Sequence, residues 1–217
     1  MTNIRITALR WVPSPFQGQV RDLAVRWALE EIGASYEVSL IGPEVQNTAA
    51  YRAWQPFGKV PAYEDKGVKL FESGAIVLHI AEGTALLPVD RAARAQVNAW
   101  VIAALNSVDP AVLALGDIDH WAAKEPWGIQ RRPEVARMVK TRLDDVASYL
   151  TGRDYLVGSF SAADIMMIMI LRGLRHTSMV SDIPALRAYR DRCEARPAFQ
   201  RALAAQLETF ARHAPAA

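Results

Sequence analysis

The chain has 217 residues, 51% hydrophobic and 22% charged, with 25 Lys+Arg against 23 Asp+Glu and a formal charge of +2. That composition excludes a disordered chain and gives no electrostatic reason to expect nucleic acid or an anionic membrane as partner. One cysteine, Cys193, rules out an intrachain disulfide and a cysteine-cluster metal site.

In chain order, Ile4, Ile6 and Ala8 alternate with Arg5 and Thr7, which predicts a first strand. Pro13 and Pro15 break it, and Val20, Leu23, Ala24 and Trp27 follow at helical spacing, with Gly33 placed to end that helix. Tyr36, Val38 and Leu40 alternate again, so the start is β-α-β, with a crossover that favours parallel pairing. After a long stretch from Gly42 to Phe57, Val60–Tyr63 and Val68–Phe71 predict a hairpin, and Ser73 precedes a helix. Leu87–Asp90 reads as a linker, with Asp90 as a helix cap. Beyond it the chain reads almost entirely as helix. One helix runs from Arg91 toward Leu105, with a bend near Pro110, and another runs from Glu134 to Leu150, separated from the first by Pro126–Pro133. Ser161–Asp164 opens a third, whose body from Ile165 to Leu171 is apolar on most of its circumference and is expected at the centre. Helices near Ile183–Glu194 and Phe199–His213 follow. The apolar run Ile165–Leu171 is far below the roughly 20 residues of a membrane span, and the N-terminus lacks an apolar region followed by a cleavage site, so a soluble, cytoplasmic protein is expected.

Few motifs carry chemistry. Val60-Pro61 has two readings: the start of an edge strand, or a cis bond that turns the Val60 backbone N–H and C=O toward an extended peptide. Phe71-Glu72-Ser73-Gly74 lies at a strand-to-helix junction, and also has two. It is a capped helix, or it holds an amino-acid head group, with free helical N–H groups and the Ser73 hydroxyl on a carboxylate and Glu72 on an ammonium. The four histidines have no metal-ligand spacing. The six tryptophans suit core or interface packing at least as well as a pocket.

The segments Gln55-Pro56-Phe57-Gly58-Lys59-Val60-Pro61, Leu70-Phe71-Glu72-Ser73-Gly74-Ala75-Ile76 and Tyr155 to Ile165 stand in an order that resembles a cytosolic glutathione S-transferase of bacterial type, across essentially the whole chain. The resemblance implies an α/β thioredoxin-like domain over 1–82, a linker over 83–90 and an all-α domain over 91–217 that contributes the electrophile pocket. It implies glutathione as co-substrate, no metal, a small apolar electrophile as the second substrate, a homodimer and a role in detoxification. Val60 would pair with the cysteinyl part of glutathione, Pro61 would be the family's cis-proline, Glu72 and Ser73 would hold the γ-glutamyl end, and Lys59 would take the glycyl end. Asp164 would belong to a helix-capping element. Ser14-Pro15-Phe16-Gln17 resembles the Cys-Pro-Phe segment of cysteine-type members, with Ser14 in the cysteine position as the activating residue. The activity expected is activation of the glutathione thiolate for attack on the electrophile. The alternatives are a glutathione-dependent peroxidase or disulfide reductase that works without an enzyme cysteine, and a non-catalytic glutathione or hydrophobic-ligand binding protein.

Overall fold

The computed structural model describes residues 4–215. They divide into two compact units, one of residues 4–86 with 195–215 and one of residues 87–194.

In the first unit, β1 (Arg5–Leu9), α1 (Asp22–Glu31) and β2 (Glu37–Ile41) form the expected βαβ crossover, with β1 and β2 parallel. Two short helical turns, α2 (Pro43–Gln46) and α3 (Ala49–Arg52), fill the stretch left open by the sequence. β3 (Ala62–Asp65) and β4 (Val68–Phe71) make an antiparallel hairpin, and α4 (Ser73–Ala81) follows. The sheet order is β2-β1-β3-β4, with β3 antiparallel to β1. This is a mixed, thioredoxin-like sheet.

Local chemistry explains most of these boundaries. α1 ends in a Schellman arrangement: Gly33 is left-handed at φ 66, its N–H donates to the Glu30 carbonyl and that of Ala34 to the Leu29 carbonyl. The hairpin loop is two residues, Lys66 and Gly67, both at positive φ, which matches the twist of the flanking strands. β3 begins at Ala62, two residues later than the sequence suggests, and Val60 and Pro61 lie ahead of it. Thr7, read from alternation as a polar partner of Arg5, is buried, with its hydroxyl 2.9 Å from the Tyr51 hydroxyl of α3.

The last helix, α10 (Pro197–Arg212), expected from sequence within the helical segment, packs along α1. The two helices run antiparallel. Arg196 pairs with Glu31 at one end (2.6 Å), Phe199 meets Trp27 edge to face at 4.8 Å in the middle, and Gln206 donates to Asp22 (2.8 Å) at the other.

The second unit is helical: α5 (Arg91–Ala103), α6 (Asp109–Trp121), α7 (Pro126–Tyr149), α8 (Ala162–Leu171) and α9 (Pro184–Glu194). Asp90 caps α5 by accepting the Ala93 N–H at 2.8 Å. A π-helical turn, Ala104–Val108, joins α5 to α6 where a bend was expected, and Pro110 sits in the first turn of α6, where no amide is required. The stretch Arg91–Trp121 has the length and hydropathy of a membrane span, yet its apolar stripe Val97, Val101, Ala104, Val108, Val112, Leu115 and Ile118 is buried within the protein.

α7 corrects the sequence expectation. It starts at Pro126 and runs through Pro133, where the two prolines predict a break. Pro126 occupies the first helical turn, where its missing amide costs nothing, and Pro133 lies on the exposed side, where water can satisfy the carbonyl it leaves free.

α8 is buried along its whole length. Its Asp164 carboxylate accepts from the backbone N–H groups of Leu156 and Ser161 (both 2.9 Å) and from the hydroxyls of Ser161 (3.1 Å) and Tyr189 (2.8 Å). Burial pushes this carboxyl above the usual range, and the four donors oppose that rise.

Candidate active site

Strand direction brings the candidate residues to one end of the sheet. β3 is antiparallel to β1 with Tyr63 opposite Ile6, so its first residue lies toward the C-terminal end of β1. β4 is antiparallel to β3 with Phe71 opposite Ala62, so its last residue lies at that same end. The loop carrying Ser14, the Val60-Pro61 dipeptide and the Glu72-Ser73 junction therefore share one edge of the first unit.

The Val60–Pro61 peptide bond is cis, as the second of the two readings above requires. Its flanks are held by a buried hydrogen-bond chain. Tyr51 Oη donates to the Lys59 carbonyl at 2.6 Å, so it accepts the Thr7 hydroxyl at 2.9 Å, and Thr7 Oγ1 in turn accepts the Ala62 N–H at 2.8 Å. On the other side Gln55 Oε1 accepts the N–H groups of Phe57 (2.8 Å) and Lys59 (3.1 Å), and Gln46 Nε2 donates to the Gly58 carbonyl at 2.9 Å. Gly58 is at φ 62, and a Cβ there would stand 2.7 Å from the Gln46 carbonyl oxygen, so only glycine fits this close approach. Between these anchored neighbours, Val60 makes no backbone hydrogen bond among the described residues. The Lys59 side chain is exposed.

Glu72 is the N-cap of α4 and sits at φ 67, ψ 114, a conformation that costs an L-residue about 1–3 kcal/mol. Its carboxylate is exposed and makes no hydrogen bond among the described residues. Ser73 is buried at the first position of α4, beside backbone amides that have no intrahelical acceptor. A strained residue, an unpartnered acceptor and free donors thus meet at one helix start.

Ser14 opens a 3-10 turn, Ser14–Phe16, that stands apart from α1. Its hydroxyl is exposed and makes no hydrogen bond among the described residues. The loop is braced by Gln17 Nε2 on the Val12 carbonyl (3.0 Å) and Gln19 Nε2 on the Pro15 carbonyl (2.6 Å). Tyr51 and Tyr63 are not proton acceptors near neutrality. Burial raises both phenols, with the Thr7 bond opposing the rise at Tyr51, and Tyr63 reaches about 12. No group of three or more His, Cys, Asp or Glu suited to a metal ion exists among the described residues.

Sequence reasoning missed the supporting residues Thr7, Tyr51, Gln46 and Gln55. The buried polar strand position of Thr7 and the motif placement of Gln55 were the available signals. Of the tryptophans, Trp27 is wholly buried, Trp54 bonds the Tyr63 carbonyl at 3.1 Å, Trp100 packs on Tyr149 at 4.5 Å, and Trp121 and Trp127 are exposed.

Comparison with known proteins identifies the family. The family model described as glutathione S-transferase, N-terminal domain, matches residues 16–82, and that described as glutathione S-transferase, C-terminal domain, matches residues 128–206. Glutathione S-transferase F10 of Arabidopsis thaliana is 34% identical over 152 residues, which span 63% of this chain and 68% of that protein. The chain belongs to the glutathione S-transferase family. A glutathione S-transferase of Silene vulgaris is 30% identical over 178 residues, covering 73% of this chain and 80% of the relative. Among solved structures, a glutathione transferase from Burkholderia graminis, with two glutathione molecules bound per subunit, superposes with a TM-score of 0.81 at 28% identity, over 93% of this chain and 87% of that one. A theta-class glutathione S-transferase from Xanthomonas axonopodis pv. citri, with glutathione bound, gives 0.79 at 26% identity, over 94% and 98%. The protein is thus an enzyme of the glutathione S-transferase family.

Proposed function

We propose that this glutathione S-transferase activates the glutathione thiol for attack on a small apolar electrophile, with glutathione held at that shared end of the sheet. The observation that carries this reading is the convergence there of three sets of unpartnered polar groups, each anchored by bonded neighbours: the Ser14 hydroxyl, the Val60 backbone, and the Glu72 carboxylate with the Ser73 donors.

Each group suits one part of the tripeptide. The Val60 N–H and C=O pair with the cysteinyl peptide unit as a strand would. The Glu72 carboxylate takes the γ-glutamyl ammonium, and the Ser73 hydroxyl with the α4 N-terminal amides takes its carboxylate. Lys59 offers a cation to the glycyl carboxylate. A free thiol is mostly protonated at neutral pH. A hydrogen bond from Ser14 to the sulfur favours the thiolate and lowers the thiol pKa, and the thiol proton passes to water. The sulfur then forms the new S–C bond and the leaving group departs with the electron pair of the bond it breaks. Ser14 stabilises the nucleophile and is not itself consumed. The helical unit would desolvate and position the electrophile. A homodimer and a cytoplasmic, detoxifying role accompany this reading.

A second reading, glutathione-dependent reduction of a peroxide or disulfide without an enzyme cysteine, is favoured by one observation: the Burkholderia relative holds two glutathione molecules per subunit. One experiment separates them. Purified protein is assayed with glutathione against aryl chlorides, organic peroxides and mixed glutathione disulfides. The proposal expects conjugation to exceed reduction. Reduction alone establishes the second reading, and tight glutathione binding with no turnover on any panel establishes a binding protein.

A further inference from the structure

Asp22 and Arg26 are a fully buried ion pair at the start of α1, with Arg26 Nε 2.7 Å from Asp22 Oδ2. Gln206, equally buried on α10, donates from one Nε2 to Asp22 Oδ1 (2.8 Å) and to the Val20 carbonyl (3.3 Å). The amide orientation is fixed, because the opposite one would turn Oε1 onto two acceptors. The arrangement is costly: Arg26 Nη2 and Gln206 Oε1 are buried without a hydrogen-bond partner.

Joining two helices does not need this. On the same contact Trp27 and Phe199 hold α1 to α10 by apolar packing, and the pairs Glu31–Arg196 and Glu30–Arg201 tie the far end of α1. A buried polar group set among apolar neighbours gives direction where packing gives only adhesion. The direction here is toward Val20, whose carbonyl also starts the first turn of α1 by accepting the Leu23 N–H at 2.9 Å. The segment from Ser14 to Val20 is therefore braced by three glutamine amides. Gln17 and Gln19 belong to the loop itself, and Gln206 reaches it from near the other end of the chain.

We propose that Gln206 is a positioning residue that fixes the Ser14–Arg21 loop from α10, and so sets how the loop presents its donors to the glutathione sulfur. The second half of this statement rests on the proposed function, while the first concerns the loop alone.

The test uses the full-length protein with Gln206→Met, which keeps the length and volume but has no donor, and Gln206→Asn, an amide too short to reach Val20. Arg201→Ala is the control, since it removes a tie between the same helices at the far end. Amide hydrogen exchange is followed over residues 14–21, together with the pH titration of thiolate absorbance in the glutathione complex and the kcat and KM for glutathione. Both Gln206 variants are expected to speed exchange across 14–21 by about fivefold or more, with β1 and β3 unchanged. They should also raise the bound thiol pKa by about half a unit and lower kcat with little change in KM. Arg201→Ala is expected to do none of this. Unchanged loop exchange in a folded Gln206 variant, or an equal change in Arg201→Ala, overturns the proposal. If the wild type forms no bound thiolate, the proposed function fails, and the exchange measurement alone decides the role of Gln206.

Discussion

Replacing Tyr51 with Phe tests whether the chain of hydrogen bonds around Val60 positions the site. The ring stays, so packing against Trp54 at 6.4 Å is kept, but two bonds go: the donation to the Lys59 carbonyl and the acceptance of the Thr7 hydroxyl. Tyr51 and Thr7 are both buried, so water does not replace the lost partner freely. Each bond is worth about 1 kcal/mol net, and a buried group left unpaired adds more, so a loss of about 2–3 kcal/mol is expected. For a chain of this size that lowers Tm by about 5–10 °C. If about 1 kcal/mol of the loss is expressed at Val60, glutathione affinity falls about fivefold. Scanning calorimetry and titration calorimetry measure the two effects. Because Thr7 and Tyr51 share a bond, the double change Thr7→Val/Tyr51→Phe should fall short of the sum of the singles by about 1 kcal/mol. A Tm within about 1 °C of wild type, with unchanged affinity, refutes the reasoning.

Glu72→Gly relieves the positive φ at the α4 N-cap, so Tm should rise, while loss of the carboxylate weakens glutathione binding; a fall in both would show that Glu72 is not strained. By calorimetry, Ser73→Ala should cost about 0.5–1.5 kcal/mol of binding and Glu72→Gln about 1.5–3 kcal/mol, the larger for the charge-assisted contact. Ser14→Ala should raise the bound thiol pKa and slow conjugation at neutral pH, with the deficit closing at alkaline pH; superimposable profiles would remove Ser14 from the mechanism. In the helical unit, desolvation acts to raise the Asp119 carboxyl, but Arg132 at 2.6 Å and His176 at 3.0 Å outweigh it and hold it below its ordinary value. A depressed carboxyl stabilises the fold above its unfolded pKa and loses that contribution as pH falls through the folded one. The Tm gap between wild type and Arg132→Met should therefore narrow below about pH 4, and a gap independent of pH would contradict the assignment.

What the sequence disclosed was what short-range chemistry controls. Alternation at Ile6 and Ala8, the left-handed stop at Gly33 and the apolar body of Ile165–Leu171 all act within a turn or two of the chain, and each stands where local sequence put it. The Glu72-Ser73 junction was legible for the same reason, since a helix start is a local event. Pro133 misled because a proline says only that an amide is missing, and whether the helix tolerates this depends on which side faces water. The supports of the site were hidden because they act over distance: Thr7 meets Tyr51 across 44 residues, and Gln206 meets Asp22 across 184. Helical spacing shows that 197–212 has an apolar face but does not name the helix it will cover.

That last helix bears on how the protein is made. The first unit is built from two stretches of chain with the whole of the second between them. A ribosome adding about 5–20 residues per second delivers Leu86 well before Phe199, Gln206 and Phe210. Until those residues emerge, the side of α1 that carries Trp27 is uncovered and the Asp22–Arg26 pair lacks its third member. The nascent sheet therefore waits, half clothed, for roughly a hundred residues of helix to be translated, and a chaperone or protease has that interval in which to find it. A chain cut short near Glu194 should keep every residue of the proposed glutathione contacts and still be cleared from the cell, because the piece that finishes its first unit is the last to arrive.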